Sequence, residues 1–394
     1  ARTVEAAFGE VASDEEVAKW RSVTPLDRTI AVVDEGEIVG TAGAFSFDMS
    51  LPGGTDTAVA GVTAVSVRPT HRRRGLLRRM MDHQLDDIAE RGEAVAILTA
   101  SETVLYGRYG YGLAASYSGW TLPTLGTTLA RPSTAPGRCR IVDAAEARKV
   151  LPDVYERSRH RHPGQLTRSE AWWDLHLADE PSDRNGLSAL FHAVHEDPAG
   201  VADGVVTYRR KSAHDHGLPA AEIHVRPDLY AVDDEVEVAL WELLIGTDLV
   251  RTIRTHGRPV DEVLRWRLAD PRRLQIRAVT DHLWVRVLDV AVALEARRYP
   301  VDGRLVLDLT DPFRPANDGR WALEGGPDGA TAGRTTDDAD LALSADDLGA
   351  LYLGGVSATT LARAGRVTEL QPGALARADV ILGWGVAPWC ATEF

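Results

Sequence analysis

Apolar residues in the first third of the chain occur as short runs between glycines and acidic turns. Asp34, Glu35 and Gly36 separate the first two runs, a spacing typical of a hairpin turn. Runs of this kind predict β-strands at 30–33, 37–40, 42–47, 61–67 and 95–99.

A helical period follows the strand at 61–67. Leu77, Met81, Leu85 and Ile88 are spaced to lie on one face of a helix over 75–90, and Gly92 follows at its C-terminal end. Because strand, helix and strand come after antiparallel strands, the pattern predicts a mixed α/β sheet.

The middle of the chain repeats the strand and helix theme. A proline-rich stretch at 131–138 predicts a linker, and a strand at 221–232 precedes a helix that begins near Asp233 or Asp234. We therefore expect a second unit of related type.

A third segment begins near Asp289. It contains predicted strands at 304–309 and 320–323, and a helix at 344–353 that Ser344 and Asp347 would cap. The chain is thus predicted to be α/β with three domains, at 1–130, 131–287 and 288–394.

Composition argues against a disordered, collagen-like or coiled-coil protein. The 394 residues are 44% hydrophobic and 26% charged, which is ordinary for a globular protein. Cys139 and Cys390 match neither a disulfide framework nor a metal site, and we expect free thiols and no metal. The net charge of −14 disfavours nucleic acid as a partner.

The sequence also bears on location. No apolar run approaches the ~18 residues of a membrane span, and no secretory signal is visible, so we expect a cytoplasmic protein. The numbering begins at Ala1 without an initiator methionine, which is compatible with a longer natural N-terminus.

Residues 69–80, PTHRRRGLLRRM, concentrate five arginines at the predicted start of the first helix. A helix N-terminus is locally positive, so cations are unfavourable there. The arginines could solvate an exposed helix start, contact nucleic acid or bind an anion. The second predicted helix instead begins with Asp233, Asp234 and Glu235, which would repel an anion. If both units share a fold, only the first is expected to hold a phosphate.

Two stretches carry a resemblance to a known family. Arg72-x-x-Gly75 after a strand resembles the pyrophosphate loop of GNAT N-acetyltransferases, although Leu77 replaces the usual third small residue. VSVRPTHRRRGLLRRMM at 65–81 and LTASETVLYGRYGYG at 98–112 resemble the enhanced intracellular survival (Eis) family of aminoglycoside N-acetyltransferases. The resemblance implies two tandem GNAT domains, a sterol-carrier-like domain and a homohexamer.

The same resemblance implies roles for individual residues. Tyr106 would be the general acid, and the terminal carboxylate of Phe394 the general base. The residues that would bind acetyl-CoA are Val65, Val67, Arg72, Arg73, Gly75, Leu76 and Ser101, and those that would bind the substrate are Glu10, Trp20 and Glu393. Arg78 and Arg79 are expected only to solvate the helix.

Three functions are compatible with the sequence. The first is acetyl transfer from acetyl-CoA to amines of aminoglycosides. The second is acetylation of protein lysines or of a polyamine. The third is a binding protein for acyl-CoA or lipid, in which no acetyl group would be transferred.

Overall fold

The computed structural model describes residues 2–9 and 13–394 of the chain. Contacts divide the chain into two compact units. The first unit comprises Ala1–Ala115, His162–Thr167 and His282–Phe394, and the second comprises Ser116–Arg161 and Arg168–Asp281. Among the described residues, no helix is both long and apolar enough to cross a membrane.

The α-helices are α1 Arg2–Phe8, α2 Asp14–Val23, α3 Leu76–Glu90, α4 Thr103–Tyr106, α5 Ala144–Ser158, α6 Glu170–His176, α7 Asp234–Ile245, α8 Leu264–Arg267, α9 Val290–Ala296, α10 Ala345–Leu351, α11 Ala358–Arg363 and α12 Ala374–Leu382.

The β-strands are β1 Thr29–Asp34, β2 Glu37–Ser50, β3 Asp56–Val67, β4 Val95–Thr99, β5 Gly112–Pro123, β6 Arg138–Val142, β7 Phe191–Glu196, β8 Ala202–Lys211, β9 His214–Asp215, β10 Leu218–Pro219, β11 Ala221–Ala231, β12 Val250–Arg258, β13 Gln275–Val287, β14 Gly303–Thr310, β15 Gly319–Gly326, β16 Gly329–Arg334, β17 Leu341–Ser344 and β18 Thr368–Glu369.

The first unit contains a mixed sheet. Strands β1, β2 and β3 are antiparallel neighbours, β3 runs parallel to β4, and β4 pairs antiparallel with the end of β13. Helix α3 connects β3 to β4 and buries Met80, Met81, Leu85 and Ile88. These side chains form one core with alanine and valine side chains of β2, β3 and β4.

The C-terminal part of the first unit has its own five-stranded sheet, in the order β16, β15, β14, β17, β18. Strands β14 and β17 are parallel and the other pairs are antiparallel. Helix α10 begins at Ala345 with the predicted capping box between Ser344 and Asp347.

The second unit repeats the arrangement of parallel strands around a helix. Helix α7 connects β11 to its parallel neighbour β12, and β8, β7 and β6 continue the sheet antiparallel on the other side. Leu240, Trp241 and Leu244 of α7 pack into a core of their own.

Most of the predicted helices and strands are confirmed, but the predicted division of residues 37–47 into two strands was wrong. The predicted hairpin between β1 and β2 is present, with Glu35 and Gly36 at φ of 49° and 82°. The separate strands expected at 37–40 and 42–47 form the single strand β2. Thr41 does not interrupt it because its backbone continues to pair with β3.

Candidate active site

Two parallel strands separate within the sheet of the first unit. Strand β3 pairs with β4 from Val59 opposite Val95 to Gly61 opposite Ile97, and the described pairing ends there. Strand β3 nevertheless continues to residue 67. Its last residues therefore have backbone groups on the β4 side that are available to another extended chain.

A bulge accompanies the separation. Between two ladder pairs, β3 advances from Thr63 to Ser66 while β2 advances only from Thr41 to Gly43. Ala64 lies inside the bulge with a left-handed φ of 51°. Because an extra residue bends and twists a strand, the bulge turns β3 away from β4.

The separation opens a cleft of about 340 Å³. Four of the residues predicted to form the site lie in its wall: Val65, Ser101, Tyr106 and Phe394. The other lining residues are Phe8, Val62, Thr63, Ala64, Thr99 and Ala100.

The arginine loop follows β3 directly. Arg72, Arg73, Arg74 and Gly75 are exposed, and Arg73 and Gly75 have left-handed φ values of 61° and 76°. Helix α3 then begins at Leu76, and no described side chain caps its first amide groups. Amide groups at a helix N-terminus beside arginines are suited to a phosphate.

Some of these arginines have contacts within the protein. The Arg72 guanidinium donates to the Ala7 carbonyl at 3.3 Å and lies 3.5 Å from the Val67 carbonyl. The Arg78 guanidinium lies 5.6 Å from the centre of the Phe313 ring. This contact corrects the expectation that Arg78 only solvates the helix, because it also covers an aromatic side chain.

The corresponding helix of the second unit begins differently. The Asp233 side chain accepts a hydrogen bond from the Val236 amide, and Asp234, Glu235 and Glu237 occupy the first turn of α7. The helix start is thus capped and acidic, as the sequence predicts. Such a start is unsuited to an anion.

Tyr106 ends the short helix α4 and is 6% exposed. Burial raises the pKa of its hydroxyl to about 12, and the negative charge of Glu102 and the nearby Tyr109 add to the effect. Its ring contacts the edge of the Tyr111 ring, with 6.0 Å between ring centres. The hydroxyl therefore keeps its proton at neutral pH.

The segment after Tyr106 is supported by the C-terminal part of the unit. Gly110, at φ 81°, leaves room for the buried Arg286 guanidinium, which pairs with Asp311 at 2.6 Å. A side chain at Gly112 would overlap the backbone of α10. No local pattern in the sequence predicts these contacts, because each joins residues far apart in the chain.

Residues 388–392 of the apolar C-terminal tail are buried, whereas Glu393 is exposed and Phe394 is half-buried. Trp389, Cys390 and Ala391 are each less than 5% exposed. The Phe394 ring packs against the Phe47 ring, with 5.5 Å between ring centres. Gly61 lies beneath them, where a β-carbon would come within 3.1 Å of Phe394 and closer still to Phe47.

Two of the three predicted substrate residues, Trp20 and Glu393, are not among the described residues that line the cleft. Trp20 lies on α2 with 44% of its surface exposed, and Glu393 is exposed in the tail. Glu10 lies outside the described residues. The sequence interpretation missed Phe8, an apolar residue at the end of α1 that does line the cleft.

The remaining two predicted residues, Val67 and Leu76, are not among the described residues that line the cleft. Val67 is half-buried at the end of β3, and Leu76 is half-buried at the first position of α3. Within 2–9 and 13–394, no group of three or more His, Cys, Asp or Glu residues is arranged to hold a metal ion.

Family models match each part of the chain. Models of an acetyltransferase (GNAT) domain match residues 1–114 and residues 164–287. A model of a sterol carrier protein domain matches residues 290–391. The predicted fold class, two GNAT domains followed by a sterol-carrier-like domain, is thereby confirmed.

Relatives extend over nearly the whole chain. An uncharacterised N-acetyltransferase of Streptomyces avermitilis is 43% identical over 393 residues, which is 98% of this chain and 95% of that protein. The N-acetyltransferase Eis of Mycobacterium tuberculosis is 34% identical over 400 residues, 99% of this chain and 95% of that protein.

A solved structure agrees in fold as well as sequence. The crystal structure of Eis1 from Mycobacterium abscessus is 33% identical, covers 100% of this chain and 96% of that one, and has a TM-score of 0.87. Full-length identity, the GNAT domains and the shared fold lead to one conclusion: the chain belongs to the Eis family of GNAT N-acetyltransferases.

Proposed function

We propose that this N-acetyltransferase moves an acetyl group from acetyl-CoA to an amine of an aminoglycoside, with the reaction in the cleft between β3 and β4. The observation that carries the proposal is that Tyr106 and the terminal residue Phe394 line the same cleft, next to the open edge of β3. A proton donor and a carboxylate are thus available at one site.

Two features of the first unit support acetyl-CoA as the donor. The donor would supply a thioester carbonyl that an amine can attack. The part of β3 beyond its described pairing with β4, at Val65 and Val67, suits the amides of the pantetheine arm, which can join a strand edge. We assign the pyrophosphate to Arg72, Arg73, Gly75 and Leu76, and a further cofactor contact to Ser101.

Phe394 would act on the attacking amine through its α-carboxylate. A free α-carboxyl group has a pKa of about 3.5, too low to take a proton readily from an ammonium group. For this role the carboxylate would need to be desolvated, which favours the neutral acid and makes the carboxylate more basic, or it would act partly by orienting the amine. It would accept the amine proton as the nitrogen attacks.

Tyr106 would act on the other side of the reaction. As the carbon–nitrogen bond forms and the carbon–sulfur bond breaks, the leaving thiolate needs a proton. The Tyr106 hydroxyl holds one, because burial raises its pKa to about 12. Tyr106 would then regain its proton from the Phe394 carboxylic acid, directly or through solvent, so that both groups return to their starting forms.

The choice of substrate class rests on charge and on the resemblance. Glu102 lies near Tyr106, and Glu393 is the sequence neighbour of Phe394; Tyr106 and Phe394 both line the cleft. We assign Glu10, Trp20 and Glu393 to the substrate. Several carboxylates around a cleft suit a sugar that carries several ammonium groups.

Assembly and location follow from the same proposal. We propose a homohexamer, as the family resemblance implies, and a cytoplasmic enzyme, since acetyl-CoA would have to be supplied there. Mass measurement in solution tests the first proposal. Fractionation of the source cells tests the second.

Thiol release from acetyl-CoA tests the proposed reaction. It should require an aminoglycoside, and kcat should fall by roughly 100-fold in Tyr106→Phe, because a general acid contributes about 10²–10⁴-fold. Deletion of Phe394 should lower kcat similarly. Tyr109→Phe is the matched control, since the Tyr109 ring packs against Phe313 and does not line the cleft.

The same assay separates the alternative functions. A protein lysine or simple polyamine with a far higher kcat/KM than any aminoglycoside would reassign the substrate. Binding of acetyl-CoA without thiol release with any amine would contradict the enzymatic proposal altogether.

A further inference from the structure

A short segment between α5 and α6 lies beside the C-terminal tail. Residues His162–Thr167 belong to the first unit, although the residues on both sides of them belong to the second. We call residues His162–Thr167 the anchor segment. Between α5 and α6, the chain thus belongs to the first unit for only these six residues.

One side of the anchor segment is fixed to the end of β2. The Ser50 amide donates to the Gln165 carbonyl at 2.8 Å, and the Gly164 amide donates to the Ser50 carbonyl at 2.7 Å. Thr167 and Asp48 exchange a further pair of hydrogen bonds, both 2.9 Å. The segment therefore extends the sheet that forms the cleft.

The other side of the anchor segment holds the tail. The Trp389 amide donates to the Pro163 carbonyl at 2.8 Å, and the His162 ring nitrogen Nδ1 lies 3.0 Å from the Ala387 carbonyl. The Ala391 amide donates to the side-chain oxygen Oε1 of Gln165 at 3.2 Å. Side-chain and backbone bonds thus fix the tail at several points.

Gln165 has a particular place among these contacts. Its side chain is 2% exposed, and it bonds the tail three residues before Phe394. Gly164 allows the close approach: it has φ 98°, and a β-carbon there would lie 3.3 Å from the Trp389 carbonyl. A chain end is normally frayed, whereas a catalytic group needs a fixed position within roughly 0.5 Å.

We propose that Gln165 is a positioning residue that fixes the terminal carboxylate of Phe394 in the cleft by bonding the Ala391 amide. This inference rests on the proposed function for its catalytic consequence. Gln165 itself touches neither reactant and acts through the tail. The anchor segment thereby makes a part of the chain outside the first GNAT domain necessary for catalysis.

Gln165→Met tests the proposal because methionine has a similar length and lacks the acceptor. Hydrogen exchange measured by mass spectrometry should show faster exchange at the amides of residues 389–394. Thr167→Val is the matched control: Thr167 Oγ1 accepts only from the β2 side in the described contacts, through Asp48. It should leave exchange in the tail unchanged.

Kinetics supply the second readout. Gln165→Met should lower kcat by roughly tenfold or more, as expected for a misplaced catalytic group, with the KM for acetyl-CoA unchanged. In a chain that lacks Phe394, the same substitution should have no further effect. Equal losses with and without Phe394 would overturn the proposal, as would an unchanged kcat in the full chain.

The two readouts separate this proposal from the proposed function. If the protein transfers acetyl to no amine, the proposed function fails, and hydrogen exchange still decides whether Gln165 fixes the tail. Unchanged exchange in Gln165→Met overturns the inference whatever the activity. If Gln165→Met does not fold, Ala391→Pro removes the same hydrogen bond from the tail side and is held to the same expectations.

Discussion

Tyr106 combines two properties that its sequence motif alone could not establish. The motif predicts its role, but only the fold shows that the ring is buried in the cleft wall and that its pKa rises to about 12. A buried tyrosine is more often a packing residue, as Tyr111 is here at 0% exposure. The difference is that Tyr106 also faces the cleft.

The raised pKa of Tyr106 predicts the alkaline side of the pH profile. A general acid is active when protonated, so in the proposed role activity is lost only as the pH rises through the pKa of Tyr106, which is about 12 and not the ordinary value of 10. We expect kcat to show no alkaline decline between about pH 8 and 10. A decline in that range that disappears in Tyr106→Phe would contradict the assignment.

Gly61 lies where β3 and β4 separate and where Phe394 packs. In Gly61→Ala the new methyl would meet the Phe47 and Phe394 rings at 2.7 and 3.1 Å. Overpacking of this kind destabilises by about 1–3 kcal/mol. We expect the Phe394 ring to be displaced and kcat to fall by roughly tenfold.

Gly43→Ala is the matched control for Gly61→Ala. Gly43 lies on the neighbouring strand β2, and a β-carbon there would meet its nearest atom, Thr29 Oγ1, at an ordinary 3.7 Å. Steady-state kinetics and thermal unfolding of both variants check the prediction. Similar losses in the two would show that any added methyl in this sheet is harmful and that Phe394 is not the cause.

At the scale of elements, the start of α3 has the most specific role. Its first amides, Gly75 and the exposed arginines form a basic start without a side-chain cap, whereas the start of α7 is acidic and capped. Helices α3 and α7, which lie at equivalent places in related domains, thus differ in the charge of the residues at their N-terminal ends. That difference was readable from the sequence.

Replacing both Arg72 and Arg73 by alanine should weaken acetyl-CoA binding. A hydrogen bond to a charged group contributes about 1.5–3 kcal/mol, so we expect the KM for acetyl-CoA to rise by roughly tenfold or more with a smaller change in kcat. Arg79→Ala is the control, since Arg79 is exposed on the same helix. Arg78 is a poorer control because it contacts Phe313. Equal increases in KM would contradict the assignment.

Local sequence patterns predicted helices and strands well, but they could not predict contacts between residues that lie far apart in the chain. Helix α3 and strand β4 follow from periodicity and from Gly92 at the helix end, all of which are local. The contacts of Gln165 with Ala391 and of Arg286 with Asp311 join residues that no local pattern connects. Phe8 was missed because a single apolar residue in a short helix resembles any other.

At the scale of the whole molecule, the sterol-carrier-like domain supports the residues that we propose to be catalytic in the first GNAT domain. It supplies the tail with Phe394, and its Asp311 pairs with Arg286 beneath Gly110. The two belong to one compact unit. We propose domain boundaries near residues 130 and 288, with the anchor segment as an exception inside the second domain.

Arg286→Leu should destabilise the protein strongly. Both members of the ion pair are at most 1% exposed, and removing one partner of a buried pair costs about 3–5 kcal/mol. The apparent free energy of unfolding in denaturant measures this cost. Arg304→Leu is the control: its partners Glu324 and Asp337 are exposed, so its loss should cost about 0–1 kcal/mol. A small effect of Arg286→Leu would contradict the supporting role.

The most direct test of the central claim is mass spectrometry of an aminoglycoside incubated with acetyl-CoA and either the natural chain or a chain with one glycine added after Phe394. The extra residue keeps the Phe394 ring and moves the carboxylate. We predict acetylated product with the natural chain and a loss of roughly 100-fold in its rate of formation with the extended chain. Equal rates of product formation with the two chains, or no product with the natural chain, would contradict the account.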